Sequence, residues 1–184
     1  MTTTLVLGGA RSGKSAHAEM LAAQSGREVV YIATARPGDS EMALRIAHHR
    51  RARPQHWQTV EQPLQLAAAI ASQAHPNRVV LVDCLTLWLS NLLFLDGRAY
   101  PEVGAIELPP QFGVERSALL EVLRHRAGPV VLVANEVGMG IMPLGAVTRC
   151  FVDEAGRLNQ AVAAVCDRVV LVAAGLPLVM KGVP

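Results

Sequence analysis

The chain has 184 residues, of which 51% are hydrophobic and 17% charged, and its formal net charge is +2. This size and composition predict one globular domain, residues 1–184, and the weak charge argues against the broad basic surface of a nucleic-acid-binding protein. The three cysteines form no C-x-x-C pair, which argues against a zinc site or a disulfide framework. We expect reduced thiols in a cytoplasmic protein without a membrane span, since the apolar run Val169–Met180 is too short and is broken by glycine and proline.

The first motif in the chain is a glycine-rich loop. Residues 8–15 read G-G-A-R-S-G-K-S, the P-loop pattern, with a β-prone run before them and helix formers after them. In this context Lys14 supplies charge to the β and γ phosphates, and Ser15 offers a hydroxyl to Mg²⁺. A flexible glycine–serine turn is the weaker alternative, and a strand this near the amino terminus leaves no room for a signal peptide. The phosphate-binding candidates are Gly8, Gly9, Ala10, Arg11, Ser12, Gly13, Lys14 and Ser15.

Short β-branched, apolar runs recur with helix-like segments between them. The runs are continuous rather than alternating, as is typical of strands buried on both faces of a parallel sheet. They predict a doubly wound α/β domain, in which a mostly parallel sheet carries helices on both faces. The predicted strands are Leu5–Leu7, Val29–Ala33, Val79–Val82, Val130–Ala134 and Val169–Val172.

The residues that follow the strands are site candidates, because ligands of such sheets bind at the carboxyl ends of the strands. Asp83 ends an apolar strand as a Walker B carboxylate does, which predicts an Mg²⁺ ligand beside Ser15. Capping of the next helix is the alternative for Asp83. The other candidates at strand ends are Thr34, Ala35 and Arg36 after the second strand, Cys84 after the third, and Asn135 and Glu136 after the fourth. Glu136 fits a metal-shell acid, a base or a solvated loop residue equally well.

A basic helix is predicted that starts with a cap at Asp39 or Ser40 and stops at Pro54. At about 100° per residue one stripe runs along it, and His48 lies away from that stripe. The stripe consists of Met42, Ile46, His49 and Arg53. Neighbouring cations keep an imidazole neutral and nucleophilic, and guanidiniums suit a phosphate, so His49 is a candidate nucleophile. The residues alone equally allow a solvated basic face.

The rest of the chain yields coarser expectations. The apolar run Leu85–Leu95 packs on the sheet or between subunits, residues 97–113 form a long loop, and residues 136–143 form a flexible active-site loop. Helices are predicted at about Leu64–Gln73, Glu115–Arg126 and Asp153–Val165.

Together these segments resemble one family nearly end to end, the bifunctional adenosylcobinamide kinase / adenosylcobinamide-phosphate guanylyltransferases of cobalamin biosynthesis. The resemblance rests on GGARSGKS at 8–15, YIATA at 31–35, HHRRARP at 48–54, VDCLTLWLSNLL at 82–93, NEVGMGI at 135–141 and AGRLNQ at 155–160. The double-histidine element and NEVGMG are the most specific of these motifs. The 97–113 loop and Met142 depart mildly from the family pattern.

The resemblance implies a RecA-like fold, a homotrimer and two reactions. A nucleoside triphosphate phosphorylates adenosylcobinamide, and GMP is then transferred from GTP to that phosphate through a guanylyl-histidine, here His49. The implied small molecules are ATP, GTP, Mg²⁺ and the corrinoid substrate. The nucleotide-contacting positions carried over are Gly8–Ser15, Ala33, Thr34, Ala35, Arg50, Arg51, Ala52, Arg53, Glu61 and Asp83.

Two other functions stay open at this point. One is a P-loop small-molecule kinase with a single activity and structural histidines. The other is a RecA-like ATP-driven module that binds nucleic acid or a partner protein, which the near-neutral charge disfavours.

Overall fold

The computed structural model describes residues 2–38, 40–95, 97 and 99–183, and at positions 45, 48, 49 and 52 it describes the backbone alone. Of the two predicted caps of the basic helix, Asp39 lies outside the described residues and Ser40 is the first residue of the helix. In chain order the elements are β1 (Thr3–Gly8), α1 (Lys14–Gln24), β2 (Glu28–Ala33), α2 (Ser40–Ala52), β3 (Gln58–Glu61), α3 (Leu66–Gln73), β4 (Arg78–Asp83), α4 (Leu85–Leu93), α5 (Pro110–His125), β5 (Val130–Asn135), α6 (Ala146–Val165), β6 (Arg168–Ala173) and β7 (Leu176–Lys181).

One seven-stranded sheet runs through the molecule in the order β3-β2-β4-β5-β1-β6-β7. Every pairing is parallel except that of β6 with β7, so the predicted mostly parallel sheet is confirmed. At the carboxyl edge Glu61, Ala33 and Asp83 are register partners across β3, β2 and β4. Gly8 pairs with Asn135 on one side and with Val172 on the other. The loop after β1 therefore leaves the middle of that edge.

The continuous apolar strands bury both of their faces, as their composition predicts. In β1, Leu5 belongs to one buried cluster and Val6 to the other, and both have no exposed surface. The first cluster includes side chains of α3, α4, α5 and α6, whereas the second includes those of α1. Helices thus cover both faces of the sheet. Helix α2 differs, because none of its described side chains is buried.

The sequence predictions missed two strands and misplaced the starts of two helices. Strands β3 and β7 were not predicted, because β3 is short and polar and β7 follows a turn within an apolar run. The expected 97–113 loop ends early, since α5 begins at Pro110, where the missing proline N–H would have no helical partner in any case. Helix α6 begins at Ala146 rather than at Asp153.

Within the apolar run at residues 85–95, helix α4 spans Leu85–Leu93 and packs on the sheet. Leu85, Trp88, Leu89 and Leu92 have no exposed surface within the single chain. Packing of the run on the sheet is therefore confirmed. Phe94 and Leu95, at its end, are exposed, and packing of that end between subunits stays a prediction. Among the described residues, no helix has both the length and the apolarity that crossing a bilayer requires.

Candidate active site

The P-loop connects β1 to α1 in a conformation that its glycines permit. Gly13 has φ +93°, a left-handed backbone that side chains disfavour, and it precedes the first helical residue, Lys14. A Cβ atom at Gly8 would lie 2.5 Å from the carbonyl oxygen of Val172. The Lys14 ammonium donates to the carbonyl of Gly9 at 3.2 Å. This geometry, together with the amino terminus of α1, suits an anionic phosphate.

The turn between β6 and β7 contacts one side of the P-loop. The Gly175 N–H donates to the carbonyl of Ser12 at 2.8 Å, and Gly175 Cα would lie 3.1 Å from a Cβ at Gly13. On the other side the Glu136 N–H donates to the carbonyl of Gly8 at 3.0 Å. Neighbouring strand ends therefore fix both sides of the loop. Gly175 was not predicted as a site residue, and its sequence signal is that it interrupts the apolar run Val169–Met180.

Asp83 lies at the end of β4 and accepts a hydrogen bond at Oδ2 from the hydroxyl of Tyr31 at 3.0 Å. Burial, and then the Asp83 carboxylate, raise the pKa of Tyr31, so the phenol stays protonated and donates. The N-cap of α4 is Cys84, whose Sγ accepts from the Leu87 N–H, so Asp83 does not occupy the cap position. These contacts favour the metal-ligand interpretation of Asp83 over the capping alternative.

Arg53 follows helix α2 and stacks on the same tyrosine. Its guanidinium carbon lies 3.5 Å from the centroid of the Tyr31 ring. Within the described residues, Nε and Nη1 of Arg53 are buried and have no hydrogen-bond partner. Arg50, by contrast, forms an ion pair with Glu61 of β3. Arg53 therefore has free donors beside the cavity, whereas Arg50 joins α2 to the sheet edge.

Thr34 is buried and joins two strand ends rather than reaching the cavity. Its hydroxyl donates to the carbonyl of Cys84 at 2.8 Å and accepts from the Cys84 N–H at 2.9 Å. The amide of Asn91 donates to the carbonyls of Thr34 at 2.7 Å and of Pro63 at 3.0 Å. Thr34 thus holds β2 against β4 beneath the site.

A cavity of about 790 Å³ lies above the carboxyl edge of the sheet, a size suited to a nucleotide and part of a second substrate. The predicted site residues that line it are Ala10, Arg11, Ser12, Gly13, Lys14, Ser15, Ala33, Ala35, Arg50, Arg53, Glu61 and Asp83. Cys84 and Asn135, which were candidates because they follow strands, also line it, and so does Tyr31, which was not predicted. The structure therefore brings the P-loop, the three strand ends and helix α2 to one space.

Some predicted positions do not line this cavity. Gly8 lies under the loop, at the end of β1, and Arg51 is exposed. The side chains of His49 and Ala52 lie outside the described part of the structure, although both residues belong to helix α2. Three other members of the His49 stripe, Met42, Ile46 and Arg53, line the cavity.

The groups present fit a magnesium ion held mainly by phosphate oxygens. Ser15 and Asp83 both line the cavity, and Mg²⁺ in nucleotide sites uses one or two protein oxygens together with phosphate and water. No group of three or more histidine, cysteine or acidic side chains among the described residues lies where it would hold a metal ion by itself. The Glu136 carboxylate accepts from the Gly138 N–H at 2.8 Å, which favours the loop-residue interpretation of Glu136.

Cys84 is a potential competitor for the role of nucleophile, since it lines the cavity. Burial, with the Asp83 carboxylate beside it, raises the pKa of the Cys84 thiol to about 12. A thiol with this pKa is neutral at pH 7 and reacts poorly as a nucleophile. The raised pKa and the burial of Cys84 therefore argue against it as the nucleophile of a covalent step.

Sequence comparisons identify the family of the chain. The profile described as cobinamide kinase / cobinamide phosphate guanyltransferase, CobU, matches residues 4–180. The chain belongs to this family. The expected class of enzyme, a bifunctional transferase of cobalamin biosynthesis with a P-loop, is thereby confirmed at the level of the family.

Named relatives agree with the family assignment. The bifunctional adenosylcobalamin biosynthesis protein CobP of Pseudomonas aeruginosa is 54% identical over 180 residues, which are 98% of each chain. The bifunctional adenosylcobalamin biosynthesis protein CobU of Escherichia coli is 45% identical, over 96% of this chain and 98% of its own. The CobU of Salmonella typhimurium is 44% identical over the same shares.

Solved structures show the fold alone. A prototypical ATPase of the type III secretion system of pathogenic bacteria matches 97% of this chain and 56% of its own, with a TM-score of 0.56 and 12% identity. The ATPase EscN of enteropathogenic E. coli matches 94% of this chain and 43% of its own, with a TM-score of 0.52 and 12% identity. These matches confirm the predicted P-loop fold of RecA-like type.

Proposed function

We propose that this member of the family carries out two successive reactions in one cavity. In the first, a nucleoside triphosphate phosphorylates the hydroxyl of adenosylcobinamide. In the second, GMP passes from GTP to that phosphate and pyrophosphate is released. One observation carries the proposal. Lys14 of the P-loop and Asp83 at the end of β4 line the same cavity as Arg53, which follows α2.

The kinase step depends on positioning and charge. Lys14 offsets the charge of the β and γ phosphates, and the backbone N–H groups of the P-loop orient them toward the corrinoid hydroxyl. Ser15 and Asp83 would hold Mg²⁺, which when bound neutralises charge on the β and γ oxygens. The contact of Lys14 with Gly9 supports this assignment, because it keeps the ammonium over the loop that receives the phosphates.

The guanylyl transfer step uses His49 as the nucleophile. Its imidazole nitrogen attacks the α-phosphorus of GTP, a P–N bond forms, and the bond from that phosphorus to the bridging oxygen breaks and releases pyrophosphate. The corrinoid phosphate then attacks the same phosphorus and the P–N bond breaks. Arg53 stabilises the charge on the α-phosphate oxygens, and its buried, unpartnered donors make it a better candidate than Arg50, which is paired with Glu61.

Incubation with α-labelled GTP tests this function. The protein should retain one GMP after denaturation, in a linkage that acid breaks and alkali does not, as expected of a phosphoramidate. A rapid quench within the first turnover separates the alternatives. Formation of the corrinoid guanylyl product with no labelled protein at any time would contradict the covalent mechanism, whereas kinase activity alone would indicate the single-activity kinase.

We also propose a cytoplasmic homotrimer in which residues 1–184 of each copy act as one catalytic domain. The apolar edge strand β7 supports assembly, because Leu176, Leu178 and Met180 lie on one of its faces and are exposed by 73%, 62% and 60%. Sedimentation equilibrium should give about three times the chain mass of 19.6 kDa. A single species at the chain mass would contradict the trimer.

A further inference from the structure

Tyr31 contacts both ends of the candidate site with one side chain. It lies on β2, is 2% exposed and lines the cavity. Its hydroxyl donates to Asp83 Oδ2 at 3.0 Å, and its ring lies 3.5 Å from the guanidinium carbon of Arg53. In the proposed mechanism Asp83 would hold Mg²⁺, and Arg53 stabilises the charge on the α-phosphate oxygens.

We propose that Tyr31 is a positioning residue that orients Asp83 for the metal and Arg53 for the α-phosphate, so that one side chain sets the geometry of both reactions. The inference rests on the proposed function, since it assigns a task to a residue of that same site. Tyr31 itself takes part in neither bond-making step.

The hydrogen bond from Tyr31 orients the Asp83 carboxylate and leaves its second oxygen available. A carboxylate has two oxygens and accepts several hydrogen bonds, so a phenol on Oδ2 leaves Oδ1 available for a cation. Hydrogen bonds to charged groups are stronger than neutral ones, and this one opposes rotation of the carboxylate away from the cavity. Without the hydroxyl, Asp83 keeps its charge but loses its fixed orientation.

The contact with Arg53 holds a guanidinium by its face. Stacking on an aromatic ring uses the flat surface of the guanidinium, and its donors lie in the plane and stay free. Arg53 shows this arrangement, because Nε and Nη1 are buried and have no hydrogen-bond partner within the described residues. A phosphate oxygen is a ligand that two such free donors would bind.

The two contacts use different parts of the tyrosine and can be separated by substitution. Tyr31→Phe removes the hydroxyl and keeps the ring, so the Mg²⁺ concentration for half-maximal kinase rate should rise by roughly tenfold or more. Because Tyr31→Phe keeps the ring that stacks on Arg53, adduct formation at saturating Mg²⁺ should fall less than the Mg²⁺ affinity does. Tyr31→Leu also removes the ring and should slow adduct formation at saturating Mg²⁺ by a further factor of roughly 2 to 30.

A control and a double variant separate positioning from packing. Trp57 belongs to the same buried cluster as Tyr31 but is absent from the residues that line the cavity, so Trp57→Phe should lower the melting temperature without shifting the Mg²⁺ dependence. In an Asp83→Asn background, Tyr31→Phe should add no further shift in Mg²⁺ dependence. If Tyr31→Leu does not fold, fluorinated phenylalanine at position 31 keeps the ring shape and should slow adduct formation as the fluorine content rises.

The outcomes decide the inference separately from the proposed function. Failure of the unmodified protein to form a GMP adduct would overturn the proposed function. An adduct in that protein, together with an unchanged Mg²⁺ profile for Tyr31→Phe, would overturn the positioning role. Equal losses in Tyr31→Phe and Trp57→Phe that track melting temperature alone would show that Tyr31 only packs.

Discussion

Gly8 and Val172 approach so closely that the end of β1 has no room for a side chain. A Cβ atom at Gly8 would lie 2.5 Å from the Val172 carbonyl oxygen, and the two residues are register partners in the sheet. Gly8→Ala should therefore displace the start of the P-loop. We expect a loss of stability of about 1–3 kcal/mol, as for other overpacked sites, and at least about tenfold weaker binding of a triphosphate analogue.

A matched glycine variant controls for this substitution. Gly113 lies in helix α5, and a Cβ there would meet no atom within 4 Å. Gly113→Ala should stabilise the protein by about 0.5–1 kcal/mol and leave nucleotide binding unchanged. Thermal melting and calorimetric titration measure both effects. Normal triphosphate binding by Gly8→Ala would contradict the assigned P-loop geometry.

Asp83→Asn tests the metal assignment. A neutral amide is a poor ligand for Mg²⁺, so the Mg²⁺ concentration for half-maximal turnover should rise by about tenfold or more in both reactions. The fold should persist, because the Asn oxygen still accepts from the Tyr31 hydroxyl and Cys84, not Asp83, caps α4. A kinase assay over a range of Mg²⁺ concentrations gives the answer, and an unchanged titration would exclude Asp83 as a ligand.

Glu19, on helix α1, predicts a pH dependence of stability. Burial, and then repulsion by Asp83, raise the pKa of its carboxyl above the ordinary 4.5. The folded protein therefore binds this proton more tightly than the unfolded chain does. The contribution of Glu19 to the free energy of unfolding falls as the pH rises from about 4.5 to the higher pKa of the folded protein. Glu19→Gln should increase the free energy of unfolding at pH 7 and give no gain below about pH 4.5. Urea unfolding at the two pH values checks this, and an equal effect at both would contradict it.

The sequence predicted the parts of the fold that depend on composition. Continuous apolar runs gave β1, β2, β4, β5 and β6 as buried parallel strands, and the P-loop pattern located the phosphate site. Strand β3, Gln58–Glu61, was not predicted because three of its four residues are polar and all four are exposed or half-buried at the sheet edge. Its strand conformation comes from pairing with β2, which is a tertiary interaction with no local signal.

The candidate site was predicted where single residues carry a chemical signal. Lys14, Asp83 and Arg53 were named from motifs, and they line one cavity. Tyr31 was not named, because a tyrosine in an apolar strand has the same pattern as a core residue. Thr34 was assigned to the nucleotide, yet its hydroxyl is used by the Cys84 backbone. Such hydrogen bonds depend on which strands become neighbours, and sequence spacing does not encode that.

The choice of nucleophile between His48 and His49 is the sharpest test of the proposed mechanism. Adjacent helical residues differ by about 100° around the axis, so the two histidines of α2 do not share a face. Met42, Ile46 and Arg53, the stripe to which His49 belongs, line the cavity, whereas on the His48 side Leu44 does so. Because more of its stripe lines the cavity, His49 is the proposed site of the GMP adduct.

Two quantities are measured side by side for His48→Ala and His49→Ala. One is the intact mass after incubation with α-labelled GTP, and the other is the kinase rate on adenosylcobinamide. His49→Ala should carry no GMP and keep most of its kinase rate, because phosphoryl transfer uses the P-loop and no histidine nucleophile. His48→Ala should still carry GMP. A labelled His49→Ala protein, or loss of the label in His48→Ala alone, would contradict the mechanism.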